Sequence, residues 1–82
     1  MAVDSLTDDD IAILEFENQF WRTAEAKEDA IREQLGLTPV RYYTRLCQLL
    51  HSQAALAHDP VLVNRLRRIA QERQQARTFT RR

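Results

Sequence analysis

Residues 29–50 read DAIREQLGLTPVRYYTRLCQLL, and this stretch decides the fold. Gly36 is the chain's only glycine, and it separates two apolar-periodic segments. Ile31 and Leu35 precede it at helical spacing. Leu37 and then Val40, Tyr43, Leu46, Cys47 and Leu50 follow at helical spacing. Glycine supplies the positive φ that ends a helix sharply. Thr38 is a good N-cap, and Pro39 then takes the first helical position, where its missing N–H costs nothing. A helix, a short Gly-centred turn and a second helix make a helix-turn-helix.

Periodicity gives the helix after Gly36 two faces. Val40, Tyr43, Leu46 and Leu50 form the expected core side, joined by Cys47 or Leu49. Thr38, Arg41, Tyr42, Thr44, Arg45 and Gln48 form the expected outer side. In a DNA-binding helix-turn-helix the second helix enters the major groove, and its outer residues must reach base edges. Arg41 and Arg45 lie four apart, hence on one face. Arginine suits guanine, and glutamine suits adenine. Tyr42 is of a length to meet a phosphate or a thymine methyl.

Working outward, Thr7 and Asp10 form a capping-box pattern, and Asp8, Asp9 and Asp10 suit the positive end of a helix dipole. A first helix is expected over about Asp8–Arg22. Ile13, Phe16 and Phe20 make one stripe and Ile11, Leu14 and Trp21 another, and core packing is the expected role of the aromatics. Exposure of Phe16, Phe20 or Trp21 would instead point to a partner surface. Thr23 caps a second helix over about Ala24–Leu35, with Lys27, Glu28, Arg32 and Glu33 on its wet side. The third helix runs from Pro39 to about His51, and the alanine-rich 52–58 stretch follows as a short helical turn or a fraying extension. Asp59-Pro60 then restarts the chain. Leu62, Leu66 and Ile69 give the last helix a narrow docking stripe. Beyond Gln74 apolar side chains thin out, so fraying is expected there, as in residues 1–6.

Eighty-two residues make a single domain, which buries only about 60% of its unfolded surface. No signal peptide and no membrane-spanning run is visible. Cys47 is the sole cysteine, so no internal disulfide can form. Cys47 and His51 lie four apart, but a structural zinc needs four ligands, and no metal or other cofactor is expected. The chain carries no phosphate-binding glycine loop and no spaced nucleophile–base set, which argues against an enzyme and against catalytic residues.

The formal net charge of zero hides a division. Residues 1–34 hold ten acids and three bases, a net of −7, and residues 35–82 hold nine arginines and two acids, a net of +7. The arginine fork matches phosphate geometry. Arg65, Arg67, Arg68, Arg73 and Arg77 are therefore the expected phosphate contacts, with Arg81 and Arg82 beyond them. A solvated face answering the acidic first helix is the simpler reading of the same charges. A basic amphipathic helix can also lie on a membrane, but its apolar side here is narrow, and no membrane association is expected.

Ile31, Leu35, Gly36, Leu37, Thr38, Tyr43 and Leu46 resemble the helix-turn-helix of bacterial sigma-factor-like and resolvase-like regulators. Arg32 stands where that pattern carries a small residue. Over roughly Asp8–Arg77 the chain also resembles a family of short actinobacterial proteins known only as a domain of unknown function. Trp21-Arg22, Lys27-Glu28, Arg41-Tyr42-Tyr43, Asp59-Pro60 and Arg65-Leu66-Arg67-Arg68 carry that second resemblance. It implies a small cytoplasmic bacterial protein and no particular activity.

These readings converge on an all-α, three- to four-helix domain over residues 1–82. Residues 8–58 form its helical core, a helix-turn-helix occupies about 24–51, and 60–82 form an arginine-rich helix and tail. The expected function is DNA binding, as a transcriptional regulator or nucleoid-associated factor. The expected partner is double-stranded DNA, bound by a homodimer with the first or last helix as its seam. The alternative is a protein-interaction module that docks a larger partner such as RNA polymerase.

Overall fold

The computed structural model describes residues 5–80, with side chains as far as Gln74. It is all-α: α1 (Asp8–Glu17), α2 (Ala24–Ala30) continuing into a π-helical turn (Ile31–Leu35), α3 (Pro39–Leu49), α4 (Gln53–His58) and α5 (Pro60–Thr80). No strand occurs among the described residues. Among them, no helix is long and apolar enough to cross a membrane. The expected fraying of residues 1–4 and the side chains of Arg77, Arg81 and Arg82 lie outside the described part.

The helix starts follow local chemistry. Thr7 Oγ1 accepts from the Asp10 N–H at 3.1 Å, and the Asp10 carboxylate accepts from the Thr7 N–H at 3.1 Å, completing the capping box. Thr23 caps α2 through the Ala26 N–H at 3.0 Å, and Thr38 caps α3 through the Arg41 N–H at 3.2 Å. Ser52 caps α4 through Ala55, and Asp59 caps α5 through Leu62 ahead of Pro60. Gly36 stops the α2 segment at φ +68°. Nothing lies within 4 Å of where its Cβ would sit, so the dihedral rather than space requires glycine.

Three expectations are corrected. First, α1 ends at Glu17 rather than Arg22. Asn18 leaves the helix and donates through its side chain to Asp59 at 2.9 Å, tying the α1 end to the α5 start. Trp21 then folds back to stack on Phe16, ring centres 5.0 Å apart, while Phe20 points outward at 85% exposure. Phe20 therefore does not continue the Ile13–Phe16 stripe.

Second, the core face of α3 differs at its start, while Leu46 and Leu49 are buried as expected. Its core face is Tyr42, Leu46 and Leu49, whereas Val40 and Tyr43 are 75% and 39% exposed and Cys47 is exposed. Tyr42 wins the interior because a carboxylate waits there: its hydroxyl donates to Glu17. Its ring also meets Phe16 and Tyr43 edge-on at 5.5 and 5.0 Å. Third, Lys27 is not on a wet face. It reaches Glu17 at 3.0 Å and lies 5.7 and 5.3 Å from the Tyr42 and Tyr43 ring centres.

The core gathers Ile13, Leu14 and Phe16 of α1, Ala30 and Ile31, the α3 face, Ala55 of α4, and Leu62 and Val63 of α5. Arg32 faces solvent beside Asp29 at 3.4 Å, so its bulk stays outside the helix crossing where a small residue was expected. Among the described side chains of α5, the first turns are docked: Leu62 and Val63 are buried, Leu66 is half-buried, and Ile69 is 37% exposed.

Candidate functional site

The outer side of α3 is one wall of an open groove of about 450 Å³. Thr7, Asp9, Asp10, Ala12 and Ile13 of α1 form the facing wall. Leu35 and Leu37 close the end at the Gly36 turn. Val40, Arg41, Thr44, Arg45 and Gln48 complete the α3 side. The lining combines apolar Ala12, Ile13, Leu35, Leu37 and Val40 with charged and polar Asp9, Asp10, Arg41, Thr44, Arg45 and Gln48.

The groove brings together Arg41, Thr44, Arg45 and Gln48 of the predicted reading face, but in different states. Arg45 is gripped by Asp10: Nε and Nη2 lie 2.7 and 2.8 Å from the two carboxylate oxygens. Its Nη1 donates to Gln48 Oε1 at 2.9 Å. The bidentate arginine holds the Asp10 carboxyl below its usual value, against the opposing effect of burial. The same hydrogen bond raises the Arg45 guanidinium. Three of the five Arg45 N–H donors are thus engaged within the chain, leaving one each on Nη1 and Nη2. Arg41 is exposed and makes no ion pair among the described residues. Thr44 and Gln48 are exposed, and Thr38 is exposed but its hydroxyl serves the helix cap.

Tyr42 is fully buried and is absent from this surface. Burial, and then the Glu17 hydrogen bond, push its phenol well above the ordinary range. Residue spacing gave no sign of the Glu17–Lys27–Tyr42 cluster, because its members are distant in sequence. Nor did it single out Asp9 and Val40, which sit on opposite walls of the groove and are both exposed. Trp21 Nε1, stacked inside the aromatic cluster, is buried without a hydrogen-bond partner among the described residues.

The arginines of α5 separate likewise. Arg65, Arg68 and Arg73 are exposed with no ion pair among the described residues. Arg67 is half-buried and donates through Nε to the Leu50 carbonyl, so it caps the end of α3. Cys47 and His51 share a second cleft, of about 530 Å³, with Arg67 and Gln71. No group of three His, Cys, Asp or Glu side chains placed to hold a metal occurs among the described residues.

No curated protein and no solved structure matches the chain. Residues 5–78 match the family model for a protein of unknown function, DUF3263. With that match covering nearly its whole length, the chain belongs to the DUF3263 family.

Proposed function

We propose that this chain is a protein-interaction module whose α1–α3 groove receives an amphipathic helix. The observation that carries this reading is the groove itself: an open apolar channel running along the side of α3 that a DNA reader would present to base edges. Helix-in-groove recognition needs an apolar trough with polar edges to set direction. Ala12, Leu35, Leu37 and Val40 supply the trough, Asp9 an acid on α1, and Arg41 a base on α3. A fitting partner helix carries an apolar stripe with a base on one flank and an acid on the other.

The same geometry weighs against base reading by α3. Asp9 is exposed at the start of α1, on the wall facing α3, and would meet phosphates with like charge. Arg45 is occupied by Asp10, and Tyr42 is inside. Arg41 is the one α3 guanidinium without an ion pair among the described residues.

DNA contact stands as a second reading on a separate observation: Arg65, Arg68 and Arg73 are exposed, on a helix whose residues 68–74 are all exposed. Such contacts would be to phosphate and sensitive to salt.

Amide-resolved NMR titration separates the two. Amphipathic helical peptides of the stated charge pattern are expected to shift Leu37, Val40 and Thr44. A mixed-sequence duplex is expected to move α5 alone and to lose effect as salt rises. If the duplex shifts the α3 groove residues and the peptides shift nothing, the interaction reading is wrong.

A further inference from the structure

We infer that the occupant of the groove is the α3 wall of a second copy, in a two-fold dimer built on α1 and α3. This rests on reading the groove as a protein-docking surface, and it names the partner. Asp9 and Arg41 are exposed on opposite walls, and neither has an ion-pair partner within the chain among the described residues. A two-fold axis brings residue i of one copy onto residue j of the other, and j onto i. A surface with a carboxylate on one wall and a guanidinium on the other is therefore complementary to itself. One rotation makes two equal Asp9–Arg41 pairs.

The apolar part behaves the same way. Val40 stands 75% exposed on the α3 wall, beside half-buried Leu35 and Leu37. An exposed β-branched side chain next to an unfilled apolar trough is a knob beside a hole, and two-fold docking puts each knob into the opposite hole. The formal net charge of zero leaves no overall repulsion between copies. Arg45 stays with Asp10 in its own chain, so dimerisation breaks no existing pair.

Sedimentation equilibrium across the micromolar range tests this on the full chain. A reversible monomer–dimer equilibrium is expected. Val40→Asp should weaken it by about a hundredfold, because it places a charge in each buried trough. The substitution sits on an exposed site, and unchanged circular dichroism would show the fold intact. Asp9→Arg alone and Arg41→Asp alone should each weaken the dimer by about tenfold, since each turns two rim pairs repulsive. The two changes on one chain should restore most of the loss, because both intermolecular pairs are re-formed with signs exchanged. A head-to-tail arrangement using α5 would not respond to that double exchange. A chain that stays monomeric, a dimer indifferent to Val40→Asp, or a double exchange without recovery would each overturn the inference. Peptide-induced shifts of Leu37, Val40 and Thr44 in a monomeric chain would then leave the docking reading standing with a different partner.

Discussion

Asp10 holds two helices with one carboxylate: it accepts the Thr7 N–H that closes the α1 cap and grips Arg45 of α3 at 2.7 and 2.8 Å. Its side chain is 3% exposed, whereas that of Arg45 is 44% exposed. The pair is thus anchored from the acid side, and the groove inherits its α1–α3 spacing from it. Asp10→Ala removes half of the capping box and strands Arg45, and should cost about 1–3 kcal/mol. Arg45→Ala leaves the cap intact but a buried carboxylate unpaired, and should cost a similar amount. Urea denaturation of both singles and the double should show strong non-additivity; additive losses would mean the contact contributes nothing.

The Asp10 pair also sets an acid limb. The folded carboxyl lies below its unfolded value, chiefly through Arg45. Its contribution is therefore complete above the unfolded pKa of about 3.9 and disappears as pH falls through the folded value. Urea midpoints of the wild type and Asp10→Asn should converge as pH drops through that window, with the largest gap near neutrality. Parallel curves down to strong acid would contradict the assignment.

Tyr42 makes the opposite prediction at high pH. Burial raises its phenol far above the usual value, so its contribution is complete below about pH 10 and is lost above it. Ultraviolet titration should show Tyr42 ionising only as the chain unfolds. Tyr42→Phe should remove that coupling and cost about 1.5–3 kcal/mol at neutral pH, the range for a hydrogen bond to a charged acceptor. Phenolate absorbance from Tyr42 in a still-helical chain would refute the buried Glu17 contact.

The early end of α1 predicts unequal aromatics. Phe16, 2% exposed and stacked on Trp21, should cost about 3–5 kcal/mol when changed to alanine. Phe20, 85% exposed, should cost within about 0.5 kcal/mol on change to serine. Thermal or urea unfolding of the two variants checks this. A large loss at Phe20 would mean that α1 runs on to Arg22 after all.

Gly36 offers a conformational test. Alanine there meets no neighbour but must hold φ near +68°, a cost of about 1–2 kcal/mol. Asparagine, which tolerates the left-handed region, should cost less than alanine. Equal losses for the two would indicate that something other than the dihedral selects glycine.

What the sequence determined by itself is what neighbouring residues settle among themselves. Thr7 with Asp10, Thr23 with Ala26, Thr38 with Arg41 and Asp59 with Leu62 are contacts three residues long, and Gly36 needs only its own φ. Helix starts, the central turn and the all-α class were accordingly legible in the chain. The tertiary structure decided which side of each helix is used. Two adjacent tyrosines satisfy the same periodicity, and the choice of Tyr42 came from Glu17, 25 positions away. Arg45 was braced against α1 by Asp10, 35 positions away. The α1 end was set by Asn18 finding Asp59, 41 positions on. A helix's spacing fixes its faces only to within a residue or so, and a partner's carboxylate at hydrogen-bond distance is what selects among them.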